Sequence, residues 1–218
     1  MNENGEAGDY VGEAFLSMFD HRLQLFARPY VSAMAHQLAA AGITANQLTL
    51  SGFLIGLVAA VLIAQGFFLM GLAAVLVSRL LDALDGAVAR LRQTSDVGGF
   101  LDITLDFVFY ASIPLAFALY DPTNNALAAA VLLASFIGTG SSFLAFAIFA
   151  TKRAMTNLSF PNKSFYFLGG LTEAGETILA FGLMCLLPNH FAAIAYGFSV
   201  LCLLTTGLRI LWGWRQLK

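Results

Sequence analysis

Long apolar runs separated by short polar segments dominate the pattern along the chain. A helix needs about 20 mainly apolar residues to cross roughly 30 Å of hydrocarbon. Six runs of about this size cover approximately residues 48–65, 67–90, 98–120, 125–151, 165–187 and 191–213. They lack the alternation of barrel strands, so we expect helices that satisfy their own backbone hydrogen bonds in lipid. The pattern predicts an all-α polytopic membrane protein with six transmembrane helices.

The segment before the first run has a different pattern. Between residues 10 and 40, apolar residues recur at helical spacing with charged residues among them, after an acidic start that does not resemble a signal peptide. This predicts an N-terminal amphipathic helix at the cytoplasmic interface, bent at Pro29; packing of that helix against the bundle is the alternative. Gly42 is expected to end the helix, and the spacing of Thr44 and Gln47 predicts a capping box at the first span.

Composition supports the membrane interpretation. The chain of 218 residues is 59% hydrophobic and 11% charged, with a net charge of −2, whereas about a quarter of the residues in a soluble domain are charged. The basic residues are scattered, so nucleic acid is excluded as a partner. Because no repeat or linker is present, we expect one domain over residues 1–218, with 1–43 as a cytoplasmic N-terminal segment and 44–218 as a six-helix bundle.

The positions of Lys and Arg predict the orientation. Nine of the eleven lie on one side of the predicted spans, and the three opposite loops carry none. Since Lys and Arg prefer cytoplasmic loops, both termini are predicted to be cytoplasmic, in what we expect to be a bacterial inner membrane. The remaining two, Arg79 and Arg209, lie within the second and sixth spans.

Four aspartates interrupt the second and third runs. Asp82 and Asp85 are three residues apart, and Asp102 and Asp106 are four apart, so each pair shares one face of its helix. A rise of about 1.5 Å per residue places both pairs in the cytoplasmic third of the membrane. Four carboxylates there require a cation, and oxygen ligands favour Mg²⁺, with Mn²⁺ or Ca²⁺ as alternatives. Arg79, three residues before Asp82, is expected to balance part of this charge.

Small residues accompany these acids. Gly86 has no side chain and Ala89 has only a methyl group, so a bulky group could approach the backbone of the second span at these residues. Arg90 follows at the cytoplasmic end, where a guanidinium group suits a phosphate; a simple positive-inside anchor is the alternative.

Together these positions resemble the signature of the CDP-alcohol phosphotransferases, also called CDP-alcohol phosphatidyltransferases. The family signature is D-x-x-D-G-x-x-A-R, about eight residues, then G-x-x-x-D-x-x-x-D. The matching residues are, in order, Asp82, Asp85, Gly86, Ala89, Arg90, Gly98, Asp102 and Asp106. The spacer here has seven residues, and Thr44-Ala45-Asn46 stands where the family often has Thr-Pro-Asn. The predicted helix layout is similar to that family over most of the chain.

The resemblance implies an activity. It implies transfer of a substituted phosphate, such as phosphatidyl, from a CDP-linked donor such as CDP-diacylglycerol to an alcohol or alcohol phosphate, releasing CMP in phospholipid biosynthesis. Asp82, Asp85 and Asp102 would hold Mg²⁺ or Mn²⁺, and Asp106 would share that site and act as general base. The nucleotide would contact Asp82, Gly86, Ala89 and Arg90. The resemblance also implies a homodimer.

The acceptor site is marked only by scattered charged residues. Arg153 and Lys163 lie between the fourth and fifth spans, Arg209 lies within the sixth, and Glu173 lies within the fifth near the expected depth of the aspartates. We expect these four residues to bind the acceptor; ordinary positive-inside residues and a structural polar contact at Glu173 are the alternatives. Glycerol phosphate, inositol phosphate, serine and a second lipid all stay open as acceptors.

Two other functions would also use intramembrane aspartates. The main alternative is an ion-coupled transporter. Transporters place such acids near the midplane in broken helices of repeated halves, whereas these four lie within 25 residues and no repeat is present. A prenyltransferase is the other alternative, but its aspartate-rich motif usually recurs in a second half, and no second copy exists here.

Overall fold

The computed structural model describes residues 29–92, 94–153, 172 and 174–218. Within these ranges all regular structure is helical, and no strand is found. Helix α1 covers residues 29–40. The others are α2 (Ala45–Ala64), α3 (Phe68–Arg92), α4 (Asp96–Tyr120), α5 (Pro122–Lys152), α6 (Ala174–Leu186), a 3₁₀ turn (Pro188–His190) and α7 (Phe191–Gln216). The predicted all-α class is confirmed for the described residues.

Among the described residues, four segments are long and apolar enough to cross a membrane, namely α2, α4, α5 and Pro188–Gln216. Helix α3 has 25 residues, but its charged side chains lower its hydropathy, and α6 is described over 13 residues. Where they are described, these helices begin and end within about three residues of the predicted runs. Six spans therefore stay a prediction. So does the N-terminal amphipathic helix, because residues 1–28 lie outside the described ranges.

The chain between α1 and α2 confirms the predicted helix boundaries. Gly42 has a φ of +86°, and the N–H groups of Gly42 and Ile43 donate to the carbonyls of Ala39 and Leu38 at 3.1 and 3.0 Å. This is the glycine C-cap arrangement that satisfies the last carbonyls of a helix. The backbone N–H of Thr44 donates to Gln47 Oε1 at 2.9 Å, and the N–H of Gln47 donates to Thr44 Oγ1 at 3.3 Å. These reciprocal bonds form the capping box.

The chain divides into two compact units, and the first contains residues up to 56 together with 75–106. Its buried apolar cluster consists of Ala35 from α1, Leu48 from α2, and Leu84 and Val88 from α3. Arg92 Nη2 also donates to the carbonyl of Ala39 at 2.5 Å. The end of α3 therefore supplies a donor to a helix C-terminus, whose carbonyls lack intrahelical partners.

The second unit contains residues 57–74 and 107–218, and aromatic side chains form much of its core. Phe117 is fully buried, and its ring stacks on Phe191 at 4.5 Å and on Phe68 at 5.7 Å between ring centroids.

At the start of α5, Asp121 accepts a hydrogen bond from the backbone N–H of Asn124 at 3.1 Å. Hydrogen bonds from Asn124 lower the pKa of Asp121. The single domain expected from the sequence stays a prediction.

The surface of the second unit is rich in apolar side chains. Leu69, Leu127 and Ile137 are 70%, 70% and 71% exposed, respectively. Large exposed apolar surfaces on long helices are costly in water but stable against lipid tails. These side chains therefore agree with the transmembrane interpretation of the apolar runs.

Candidate metal centre

Helices α3 and α4 bring three of the four predicted aspartates together in the first unit. Asp82, Asp102 and Asp106 each offer one carboxylate oxygen, and these three oxygens lie within 4.8 Å of one another. The side chains of Asp82 and Asp106 are 31% and 29% exposed, so the group is partly accessible. Hard cations such as Mg²⁺ and Mn²⁺ prefer ligands of this kind. The helical spacing of the aspartates thus produces a cluster with the chemistry of a divalent metal site.

Asp85 is placed differently from the other three. It is 5% exposed, and its Oδ2 atom is buried with no hydrogen-bond partner among the described residues. A buried carboxylate oxygen without a partner is costly, and a cation would supply the missing interaction. Asp85 lies one turn from Asp82 on the same face of α3. The residues present therefore fit a bound divalent cation.

Arg79 balances part of the acidic charge, as the sequence predicts. Its Nη1 atom lies 2.7 Å from Asp106 Oδ1 and 3.5 Å from Asp82 Oδ1. The shorter contact joins Arg79 on α3 to Asp106 on α4, although Asp82 is the carboxylate that shares a face of α3 with Arg79. When all groups are ionised, one guanidinium against four carboxylates leaves three negative charges. The centre therefore still attracts cations.

Ser78 and Gly52 form part of the environment of Arg79, although no motif in the sequence pointed to them. The Ser78 hydroxyl donates to the Gly52 carbonyl at 2.7 Å, and Arg79 Nη2 donates to Ser78 Oγ at 3.3 Å. A Cβ on Gly52 would lie 3.2 Å from both Leu81 Cβ and the Ser78 carbonyl oxygen. The missing side chain thus permits the close approach of α2 to α3. In the sequence, a glycine in one apolar run and a serine in the next are only weak evidence that the two helices approach closely at these residues.

The predicted nucleotide residues lie beside the acids. A Cβ on Gly86 would be 3.4 Å from Arg90 Nη1, so the guanidinium group lies over the glycine one turn before it. Arg90 also borders a cavity of about 460 Å³ between α1 and α3, which Val31 and Leu91 help to line. Ala89 is partly buried on the same turn of α3. This turn can present a cationic group to a phosphate close to the carboxylates.

Gly98, the glycine of the second half of the signature, lies in the first turn of α4. A Cβ at this position would be 3.1 Å from both Asn46 Oδ1 and Ser95 Oγ, and the Gly98 N–H donates to Ser95 Oγ at 3.1 Å. A larger residue would therefore have to displace these two side chains at the first turn of α4. Asp102 follows one turn later on the same helix.

Two of the four predicted acceptor residues are described, both in the second unit. Arg209 Nη1 donates to the Thr139 carbonyl at 3.1 Å, and its Cζ lies 5.6 Å from the centroid of the Phe143 ring. Arg153 Nη2 donates to the backbone carbonyl of Leu217. Lys163 and Glu173 lie outside the described residues, and a role of any of these four in acceptor binding stays a prediction.

Comparison with known proteins identifies the family. A profile of the CDP-alcohol phosphatidyltransferases matches residues 42–207, more than half of the chain. This chain belongs to that family. The inner membrane protein YnjF of Escherichia coli K12 is 50% identical over 201 residues, which are 92% of this chain and 98% of that protein. The predicted family is confirmed, and this CDP-alcohol phosphatidyltransferase is an integral membrane transferase of phospholipid biosynthesis.

Two archaeal relatives match a smaller part of this phosphatidyltransferase. The archaetidylinositol phosphate synthase of Pyrococcus horikoshii is 49% identical over 87 residues, 38% of this chain and 44% of the relative. The archaetidylinositol phosphate synthase of Methanothermobacter thermautotrophicus is 36% identical over 97 residues, 44% of this chain and 46% of the relative.

Proposed function

We propose that this phosphatidyltransferase transfers the lipid-bearing phosphate of CDP-diacylglycerol, or a related CDP-linked lipid, to the hydroxyl of an alcohol or alcohol phosphate. The observation that carries this proposal is the group of carboxylate oxygens from Asp82, Asp102 and Asp106 within 4.8 Å, formed by the family signature. The new bond joins the acceptor oxygen to the lipid-bearing phosphorus. The bond that breaks joins this phosphorus to the oxygen of CMP, which leaves with the electron pair.

In this proposal the four aspartates have two roles. Asp82, Asp85 and Asp102 would hold Mg²⁺ or Mn²⁺, and Asp106 would share the site. When bound, such a cation would supply positive charge against the diphosphate and against the charge that develops on CMP. Asp106 is the general base: one carboxylate oxygen accepts the proton of the acceptor hydroxyl as that oxygen attacks, because an unassisted hydroxyl is a poor nucleophile at neutral pH.

Arg90 and its neighbours form the proposed nucleotide contacts, together with Asp82. The guanidinium group of Arg90, which lies over Gly86, pairs with a phosphate oxygen of the donor. Gly86 and Ala89 carry little or no side chain, so the nucleotide can approach the backbone of α3. These contacts orient the donor next to the carboxylates.

For the acceptor we propose an alcohol phosphate, with inositol phosphate as the first candidate. Two relatives are named archaetidylinositol phosphate synthases, which supports an inositol phosphate acceptor. Arg153, Lys163 and Arg209 supply positive charge for the acceptor phosphate, and Glu173 accepts a hydrogen bond from an acceptor hydroxyl.

The proposed membrane arrangement has six spans, an interfacial N-terminal helix, and cytoplasmic termini and active site. Arg90 and Arg92 in the last turn of α3 support this orientation, because basic residues favour the cytoplasmic side. A cytoplasmic site allows the water-soluble nucleotide to reach the carboxylates while the acyl chains stay in lipid. We also propose a homodimer of this single-domain chain.

CMP release tests the function. Purified protein in detergent is given Mg²⁺, CDP-diacylglycerol and, in turn, inositol phosphate, glycerol phosphate, serine or a second lipid. We expect CMP release with an alcohol phosphate, its loss after chelation of Mg²⁺, and its loss in Asp106→Asn with CDP-diacylglycerol binding retained. Near-normal release by Asp106→Asn would contradict the general-base role. Failure of folded wild-type protein both to bind the donor and to release CMP would overturn the proposed function.

A further inference from the structure

Arg79 contacts the proposed general base through the Oδ1 oxygen. Its Nη1 atom lies 2.7 Å from Asp106 Oδ1, and among the described residues no hydrogen bond to Asp106 Oδ2 is found. The side chain of Arg79 is 9% exposed. A carboxylate on a helix can rotate about its two side-chain torsions, and a charge-assisted bond to one oxygen restricts that rotation.

The guanidinium group also makes a second contact, through its other terminal nitrogen. Arg79 Nη2 donates to Ser78 Oγ at 3.3 Å, and the Ser78 hydroxyl donates to the Gly52 carbonyl at 2.7 Å. Ser78 is completely buried. These bonds connect the backbone of α2 through Ser78 and Arg79 to the carboxylate on α4. Withdrawal of the guanidinium group would remove the cation that lies 2.7 Å from Asp106 and would leave the buried Ser78 hydroxyl without this donor.

We propose that Arg79 is a positioning residue for Asp106: it holds Oδ1 and so orients Oδ2 for the acceptor hydroxyl. This inference rests on the proposed function of Asp106 as general base. Small displacements of a catalytic group lower the rate strongly, and partners that orient metal-site carboxylates typically contribute about 10- to 100-fold to affinity or activity. Arg79 therefore acts on turnover through Asp106, without itself contacting the reacting atoms.

A different role would make different predictions. If Arg79 bound the donor phosphates, its replacement would raise the KM for CDP-diacylglycerol. If Arg79 only stabilised the fold, its replacement would change the Mn²⁺ dissociation constant by the same factor whether or not a carboxylate is present at position 106. The test therefore combines a split between kcat and KM with a double-mutant cycle.

The experiment compares Arg79→Met, Arg79→Lys, Asp106→Asn and the Arg79→Met/Asp106→Asn double variant. Arg92→Met on the exposed end of α3 is the matched control for loss of one positive charge. For Arg79→Met we expect kcat to fall about 10- to 100-fold, with the KM for CDP-diacylglycerol changed less than about threefold. Arg79→Lys should retain an intermediate kcat, because an ammonium group can pair with Asp106 but cannot bridge it to Ser78. Arg92→Met should retain kcat.

Binding of Mn²⁺ alone, followed by its electron paramagnetic resonance spectrum, gives a readout independent of activity. We expect the factor by which Arg79→Met changes the Mn²⁺ dissociation constant to differ at least about fivefold between the wild-type and Asp106→Asn backgrounds. Equal factors would overturn the proposal, since Arg79 would then not act through Asp106. If Arg79→Met does not fold, Ser78→Ala keeps the guanidinium group but removes its anchor, and its kcat should fall less than that of Arg79→Met but below wild type.

The two proposals fail in distinguishable ways. A wild-type protein that releases CMP, together with an Arg79→Met variant of unchanged kcat, would overturn the positioning role alone. An unchanged kcat in folded Ser78→Ala would do the same where Arg79→Met cannot be obtained. A wild-type protein that neither binds Mn²⁺ nor releases CMP would overturn the proposed function and the positioning role together.

Discussion

Removal of one charge from the acidic cluster should stabilise the metal-free protein. One oxygen of Asp102 lies within 4.8 Å of an oxygen of Asp82 and of Asp106. Arg79 forms ion pairs with Asp82 and Asp106, whereas Asp102 has no ion pair among the described residues. Asp102→Asn keeps the shape of the side chain and removes its charge. The repulsion that Asp102 experiences in the absence of metal should therefore disappear.

The magnitude follows from the separation of the oxygens. Two unit charges 4.8 Å apart repel by about 3.5 kcal/mol at an effective dielectric constant of 20, and by about 0.9 kcal/mol at 80. Attraction to Arg79 offsets part of the repulsion from two neighbours. We expect Asp102→Asn to raise the free energy of unfolding of the metal-free protein by about 1 to 3 kcal/mol. For a chain of this size, each kcal/mol corresponds to roughly 2 to 4 °C in the unfolding midpoint.

The assay is thermal unfolding in detergent, with EDTA and then with Mg²⁺. Mg²⁺ at about 100 times its dissociation constant should stabilise wild-type protein by about 2.7 kcal/mol, and Asp102→Asn should lose most of this shift. Asp96→Asn is the matched control, because Asp96 is exposed in the first turn of the same helix. A carboxylate at a helix N-terminus stabilises the helix slightly, so Asp96→Asn should leave the unfolding midpoint unchanged or slightly lower. A lower metal-free midpoint for Asp102→Asn, or an undiminished Mg²⁺ shift, would refute the reasoning.

Two further predictions concern packing in the second unit, and both are measured by thermal unfolding. A Cβ on Gly71 would lie 2.5 Å from Ile63 Cγ1, so Gly71→Ala should destabilise by about 1 to 3 kcal/mol. Gly197→Ala, with nothing within 4 Å, should be neutral or stabilising, and equal midpoints would contradict the packing at Gly71. Phe117 is fully buried, and Phe117→Ala should cost about 3 to 5 kcal/mol. Leu127 is 70% exposed, so Leu127→Ala should lower the free energy of unfolding far less. Similar losses of stability in the two variants would argue against the aromatic core.

Interactions between residues close in the chain could be predicted from the sequence. The capping box of Thr44 and Gln47 joins residues three apart, and Gly42 ends α1 because a positive φ suits a residue without a side chain. The spacing of the aspartates places each pair on one helix face. These features depend on local geometry, which a helix repeats wherever it forms.

Partners far apart in the chain were beyond prediction from this single sequence. The sequence predicts that Arg79 balances the acidic cluster but not which carboxylate it contacts most closely; in the structure this is Asp106 on α4, at 2.7 Å, while Asp82 on its own helix lies at 3.5 Å. Ser78 was not singled out at all, because its acceptor is a backbone carbonyl 26 residues away.

The apolar helices and the family signature with its four acids could be predicted from the order of residues alone, and the basic residues predict an orientation. The approach of Asp82, Asp102 and Asp106 to within 4.8 Å, and the burial of Asp85 with an unpaired oxygen among the described residues, became evident only in the folded protein. Helical periodicity fixes the direction of a side chain around the axis of its own helix. The distance between side chains on different helices depends on how closely those helices pack, and here the absence of a side chain at Gly52 permits the approach of α2 to α3.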